Sequence, residues 1–415
     1  MKRIFYLLVL LSVSCSKKND LVFTEKPVVQ SITKANPIYK NYNQPSILLR
    51  ESDVWIDHYQ IPRLGVSIPK SVVYGYSYVQ ADFNSDGFDD VVFAPLDYTN
   101  HLNNTNTPSP LELYINDGTN NRFTLDNSLI KNNLGTVGSR KAIVGDFNGD
   151  KKPDVIFNET GNDNAPFNGG KSTILISDND GKYIHKPLIN DEWYSHGVCS
   201  GDFDNNGTLD VYLTGVISGE NSKHEPYLLI NDGKGNFVNA PSKLKFSYYG
   251  IHTCEMFDLN HDGYLDLIIG GHSFTNDINN QPAKVLWGNG IDFDSARSTK
   301  LPNVFGWDIV IDFNFKDLDG DGTEEIILNR TGDNQNFYKG YRVQILKSVG
   351  KEYVDITDTI IKDYISETSK FNFWLRTEDI DKNGRVEIFV SDKGNRNTNI
   401  QLRWEKDVDG IFKRK

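Results

Sequence analysis

The sequence predicts an all-β protein, a β-propeller of four-stranded blades, with seven blades preferred and six as the alternative. Three observations predict it. A short acidic loop recurs six times, each copy runs straight into a β-branched and aromatic segment, and no long stretch carries apolar residues at helical spacing. The composition agrees, because Gly 34, Tyr 20 and Phe 23 against Met 2 suit strands and tight turns. A chain of 415 residues with 38% hydrophobic content has room for two or three ordinary domains or one large closed β architecture. The repetition favours the second.

At the N-terminus a charged Met1-Lys2-Arg3 precedes the apolar run from Ile4 to Leu11 and the small residues Ser12, Val13 and Ser14. That pattern is a secretory signal, too short for a spanning helix. With Cys15 directly behind it, the segment resembles the lipobox of bacterial lipoproteins, with Ser12 where Leu is usual. The resemblance implies lipidation of Cys15, an outer-membrane lipoprotein facing the periplasm or the cell surface, and a lipid anchor as the only membrane contact. The expected organisation is a signal peptide over residues 1–14, a tether over 15–44 and the propeller over 45–415. Of the two remaining cysteines, Cys199 lies three residues before Asp202 and Cys254 four before Asp258. Alternation along a strand turns them to opposite faces, so they are expected to be free, buried and apolar in role.

The opening Asp residues of the loops fall at 82, 146, 202, 258, 317 and 379, a period of roughly sixty residues. Each loop offers side-chain oxygens at its first, third, fifth and ninth positions, a turn residue at the sixth and a carbonyl at the seventh, the donor set that wraps a hard cation such as calcium. The candidate ligands are Asp82, Asn84, Asp86, Phe88 and Asp90 in the first loop, and Asp146, Asn148, Asp150, Lys152 and Asp154 in the second. Asp202, Asp204, Asn206, Thr208 and Asp210 make the third, and Asp258, Asn260, Asp262, Tyr264 and Asp266 the fourth. The fifth has Asp317, Asp319, Asp321, Thr323 and Glu325, and the sixth Asp379, Asp381, Asn383, Arg385 and Glu387. Gly holds the sixth position everywhere except in the second loop, where Lys151 stands, so a shifted turn or a weaker site is expected there. Up to six calcium ions are expected, structural rather than catalytic because six equivalent closed sites imply architecture. They would offset nearly all of the charge of about −14 that remains once the net −12 loses Lys2 and Arg3 with the signal.

After each loop comes an apolar strand, such as Val91-Val92-Phe93 or Leu267-Ile268-Ile269, then a polar stretch and a second hairpin. Asp-Gly pairs such as Asp232-Gly233 mark those hairpins as tight turns. Four strands per unit repeated in tandem make a propeller blade. The segments Gly145-Asp146-Phe147-Asn148-Gly149-Asp150 and Gly201-Asp202-Phe203-Asp204 resemble the FG-GAP/VCBS repeat, the calcium-bearing blade of integrin α-chain heads and many secreted bacterial proteins. The resemblance spans about residues 75 to 415 of this chain. The run from Ser46 to Ile56 looks like the outer hairpin of a further blade, which gives the seventh.

In propellers of that family the metal loops occupy one face and ligands the other. Six residues before the first Asp of successive loops stand Tyr76, Arg140, His196, His252, Ile311 and Phe373, and aromatic residues including Trp193, Tyr249 and Trp307 sit close by. Tyr76, Arg140, Trp193, His196, Tyr249, His252 and Trp307 are the candidate ligand-binding set, suited to stacking on a glycan or gripping a loop of an extracellular protein. A rival use of Tyr76, Arg140, His196 and His252 is β-elimination of uronic acids by a polysaccharide lyase. The bland alternative is that the histidines satisfy strand hydrogen bonds and the aromatics pack between blades. The sequence carries no nucleophile elbow, HExxH, phosphate loop or basic nucleic-acid patch, so no catalytic residue is assigned, nucleic acid is not an expected partner, and a monomer is expected.

Overall fold

A computed structural model describes residues 72–97, 105–116, 118, 123–162, 167–215, 225–246, 250–271, 283–332, 339–363, 365–368, 374–379, 383–391 and 401–414. The signal, the tether and the Ser46 to Ile56 segment lie outside these residues. Among them the protein is all-β, built from many small antiparallel sheets. No helix of the described residues is long and apolar enough to cross a membrane.

The first sheet joins β1 (Val72–Ala81), β2 (Asp90–Asp97), β3 (Glu112–Asn116) and β4 (Phe123–Leu125). After β5 (Ile130–Lys131), the second joins β6 (Ser139–Gly145), β7 (Asp154–Glu159), β8 (Thr173–Ser177) and β9 (Tyr183–Pro187). The third holds β10 (Val198–Gly201), β11 (Asp210–Leu213), β12 (Tyr227–Asn231) and β13 (Phe237–Asn239). Following β14 (Leu244–Lys245), the fourth holds β15 (Ile251–Phe257), β16 (Asp266–Gly271), β17 (Lys284–Leu286) and β19 (Ser298–Lys300), while β18 (Phe293–Asp294), which falls between the last two in sequence, pairs with β14 in a separate two-stranded sheet. The fifth holds β20 (Ile309–Lys316), β21 (Glu325–Thr331), β22 (Tyr341–Val349) and β23 (Glu352–Asp355), with β24 (Ser366–Glu367) on the edge of β22. The sixth is β25 (Trp374–Glu378), β26 (Glu387–Ser391), β27 (Gln401–Lys406) and β28 (Phe412–Arg414).

Burial explains why second strands such as β7, β11 and β21 carry a continuous apolar run rather than an alternating one. Side chains of a strand point alternately to the two faces, so a strand covered on both reads as a continuous apolar run. Val155 and Phe157 pack against the first sheet, while Ile156 packs against the third. Val211 and Leu213 face the second sheet and Tyr212 the fourth. Ile326 and Leu328 face the fourth, and Ile327 the sixth. The core is thus a series of apolar layers, each shared by two consecutive sheets. The residue after the opening Asp of a loop plugs the layer ahead of it: Phe83, Phe147, Phe203, Leu259 and Leu318 are all buried there.

The outer edges are stitched. Chain leaving the first sheet pairs in parallel with the second as β5 on β9, chain leaving the third pairs as β14 on β18, and Ile361, leaving the fifth, bridges in parallel to Phe412 of the sixth. Each stitch ties the end of one repeat to a segment of the next repeat. The Asp232-Gly233 hairpin differs from the expected tight turn. Asn231 pairs with Phe237, and the intervening loop is organised by Asp232, whose Oδ1 accepts from Lys234 N at 2.8 Å and Asn236 N at 3.3 Å. The local side-chain acceptor outcompetes a tight turn.

On β9, His185 is buried, and its Nδ1 accepts from Leu134 N at 3.1 Å. Burial pulls its pKa down to about 4. Folding therefore keeps the ring neutral, and its cost is absent above the ordinary value of 6.5 and grows as pH falls from there to 4. That shift amounts to about 3 kcal/mol lost across the window. His185→Gln, which retains an acceptor for Leu134 N, is expected to flatten the acid limb of stability measured by urea unfolding between these pH values; an unchanged limb would contradict this.

Candidate functional site

The acidic loops connect the first and second strands of each sheet and share one hydrogen-bond plan. In the first loop Asp82 Oδ1 accepts from Asp86 N at 3.0 Å and its Oδ2 from Gly87 N at 2.8 Å, while Asp86 Oδ1 accepts from Phe88 N at 2.9 Å. The third and fourth loops repeat this with Asp202 and Asp258. The ninth residue has a further task. Asp90 Oδ2 accepts from Phe83 N at 3.0 Å and its Oδ1 from Asn116 N of β3 at 2.8 Å. Asp154, Asp210 and Asp266 do the same, taking Ser177, Asn231 and Gly288 N from or beside the third strand. The seventh residue leans on the outer hairpin: a Cβ on Gly118, whose φ is 69, would lie 2.3 Å from the Phe88 ring and displace it.

The donor set fits a hard divalent cation. Carboxylate oxygens of Asp202, Asp204 and Asp210 lie within 4.8 Å of one another, as do those of Asp317, Asp319 and Glu325. Burial pushes the carboxyls of Asp90, Asp154, Asp210 and Asp266 each up to about 7, against the amide hydrogen bonds that favour their charge. A buried carboxyl held among other carboxylates is what a cation would relieve.

The six loops are not equivalent, however. In the fifth, the Lys347 ammonium from β22 is bonded to Asp319, lies 2.7 Å from Asp321 Oδ2 and 3.6 Å from Glu325 Oε1. In the sixth, Arg403 from β27 is 3.0 Å from the buried Glu387 Oε1, and Arg385 pairs with Glu405 at 2.9 Å. A basic side chain thus meets the ninth-position acid where that acid is Glu. Asp381 lies outside the described residues.

Lys151 does not shift the second turn. Its φ of 68 takes the place of the glycine, with Gly149 at 79 two residues before, and Lys151 N donates to Asp146 Oδ2 at 2.8 Å as the glycines do elsewhere. The cost is left-handed backbone on a residue with a Cβ.

At the opposite end of the first strands lies the second cluster. Tyr76, Arg140, His252 and Ile311 are each the extra residue of a β-bulge, skipped in the pairing of β1, β6, β15 and β20 with their second strands. A bulge re-aims its side chain out of the ordinary alternation. Arg140 Nη1 stands 3.0 Å from His196 Nδ1, and His196 Nδ1 stands 2.9 Å from His252 Nδ1. The Tyr194 ring lies 5.0 Å from that of His196 and 5.4 Å from Phe167, which has a φ of 57. Three consecutive sheets therefore bring Arg140, His196 and His252 together, all buried. Tyr76 has its backbone at the equivalent place, its side chain being outside the description, as is all of Tyr249.

Trp193 is not part of that cluster. It is buried between the second and third sheets, edge-on to Tyr227 at 4.7 Å. The packing alternative describes it better than the ligand reading. Trp307 is half-buried, and its carbonyl accepts from Arg330 Nη1 at 3.2 Å.

Sequence reasoning missed the charged set deeper in the first strands. Lys141 Nζ reaches Glu255 Oε1 at 2.6 Å and the carbonyl of Cys254 at 3.2 Å, passing from the second sheet to the fourth. Burial pushes Asp312 of the fifth sheet up to about 7, with the Lys141 charge opposing, and its Oδ2 accepts from Leu375 N of the sixth at 2.9 Å. The available signal was a charge set among largely apolar neighbours at Lys141, Glu255 and Asp312. The cysteines also need correction. Both are free and buried as expected, but they share one apolar layer and their thiols are within hydrogen-bonding reach. Opposite faces of strands in consecutive sheets are the faces that meet.

An FG-GAP-like repeat is found at residues 82–157, from the first Asp of the first loop through the strand after the second. No curated protein matches the chain.

Lys151→Gly is expected to stabilise the protein by roughly 0.5–1 kcal/mol, as relief of left-handed strain outweighs the added freedom of the unfolded chain. Urea unfolding checks it, and a loss of stability would show that the Lys151 side chain contributes to the turn.

Proposed function

We propose that the chain is a calcium-stabilised β-propeller, tethered outside the cytoplasm through lipidated Cys15, that recognises a glycan or an extracellular polypeptide at the end of the ring remote from its metal loops. Closure into a ring is supported by contacts between sheets that are not neighbours. Lys141 reaches from the second sheet to the fourth, and Lys141, Glu255 and Asp312 sit close enough to feel one another's charge, as side chains do where sheets radiate from one axis. Seven blades remain the preferred count, the N-terminal hairpin segment completing the ring.

Calcium is assigned to the first four loops, where, unlike Glu325 and Glu387, the ninth-position Asp is paired with no basic side chain among the described residues. The convergence of Asp317, Asp319 and Glu325 also suits an ion, but Lys347 already neutralises that group, and Arg403 serves Glu387. Chelation with EDTA is expected to lower Tm sharply, and calorimetric titration to find four tight sites. Lys347→Met should add a site. Six tight sites in the unaltered protein, or no EDTA effect, would refute this assignment.

The ligand reading rests on one observation, the bulges that aim Arg140 and His252 toward His196 at a single place across three sheets. An Arg beside two imidazoles and an aromatic ring suits an anionic or hydroxyl-rich ligand, and carboxylate-bearing glycans combine both features. A glycan array of acidic polysaccharides should show binding that falls at least tenfold in Arg140→Ala and His196→Ala, with Trp193→Phe unaffected. Equal loss in all three would reassign the cluster to packing. Release of unsaturated uronate from any of these polysaccharides would establish the lyase in place of the binder.

A further inference from the structure

We propose that Cys199 and Cys254 form a disulfide between the third and fourth sheets when the protein folds in an oxidising medium. The first strands of these sheets, β10 and β15, run side by side in the same direction. An ideal Cβ on Gly197 would lie 3.0 Å from Thr253 Cα, and one on Gly201 would lie 3.4 Å from Met256 Cβ. Allowing about 1.5 Å for each Cα–Cβ bond, the paired Cα atoms are separated by at most roughly 4.5 Å at the first point and roughly 6.5 Å at the second. Cys199 lies midway between Gly197 and Gly201, and Cys254 between Thr253 and Met256. Disulfides span Cα separations of roughly 4.4–6.8 Å, so the backbone is already spaced for one.

The side chains agree with the backbone. Both cysteines belong to the layer that also contains Tyr212, Leu228, Met256 and Leu267, and the two thiols are close enough to hydrogen-bond. Cys199 is 1% exposed and Cys254 0%, and burial raises the Cys199 thiol well above its ordinary pKa. In the folded protein neither thiol meets an oxidant readily, so the bond belongs to the stage at which the two sheets dock. The chemistry is thiol–disulfide exchange. One cysteine thiolate attacks the sulfur of a small disulfide such as oxidised glutathione and releases one thiolate; the second cysteine attacks the mixed disulfide and releases the other. Two protein thiols lose their protons and are oxidised, and the small disulfide is reduced to two thiols that take those protons.

The bond would close a loop from residue 199 to residue 254 and fix the relative height of the two strands just inside His196 and His252. It makes no use of any ligand at that cluster, so its test stands apart from that reading. The full chain is refolded from denaturant in a glutathione redox buffer, free thiols are blocked under denaturing conditions without reductant, and the digest is mapped by mass spectrometry. Residue-resolved mapping keeps Cys15 out of the count. The expected product is a peptide pair joined through Cys199 and Cys254. In addition, reductant should lower the Tm of this oxidised protein by several degrees and leave that of the Cys199→Ala/Cys254→Ala variant unchanged. Recovery of both cysteines as blocked thiols across the range of glutathione ratios would overturn the proposal. So would a reductant effect of equal size in the double variant.

Discussion

Much of the molecule depends on one buried carboxyl per repeat, the ninth residue of the acidic loop. Asp90, Asp154, Asp210 and Asp266 each close their own loop with one oxygen and hold an amide from or beside the third strand of their own sheet with the other. A single side chain thus fixes the turn, the start of the second strand and the lateral position of the third. An acid in that position is costly to bury, and amide donors lower the cost. Where the residue is Glu, the added methylene coincides with a basic side chain from the third strand, Lys347 or Arg403.

The repeat order follows from the same geometry. Because the loop sits between first and second strands, its far end is the beginning of the first strand, where the bulges occur. The two ends of a sheet therefore have different chemistry: carboxylates and turns at one, and Arg, His and aromatic rings at the other. Between them the strands present mostly apolar side chains to the neighbouring sheets, with polar exceptions such as the Ser77–Ser139 contact and the Lys141, Glu255 and Asp312 set.

Much of this was legible in the sequence. The six loops and the apolar strands behind them appear where spacing placed them, because a metal-type loop dictates its own residues and two-sided burial dictates the rest. Counting back from the first Asp also found Arg140, His196 and His252, since equivalent positions in a repeat occupy equivalent places. What escaped is whatever depends on the relation between sheets. The bulge is invisible in composition, as Tyr76, Arg140, His252 and Ile311 share no residue type. Strict alternation separated Cys199 from Cys254, although consecutive sheets present contrary faces to each other. Trp193 reads as a rim aromatic beside Tyr194, and only the layer it fills distinguishes the two. Lys347 lies a strand away from the loop it neutralises, a pairing that no local pattern contains.

The parallel stitches put the repeat in sequence out of phase with the sheet in space. β5, encoded at the end of the first repeat, is the outermost strand of the second sheet, and Ile361 plays that part for the sixth. The segment that would be copied in a duplication is therefore not the layer that folds. A repeat such as the first, gained or lost through exchange at the acidic loops, would carry an outer strand belonging to its successor. The stitches at alternate junctions thus couple the repeats in pairs, so that a change in the number of sheets would be accommodated most simply two repeats at a time.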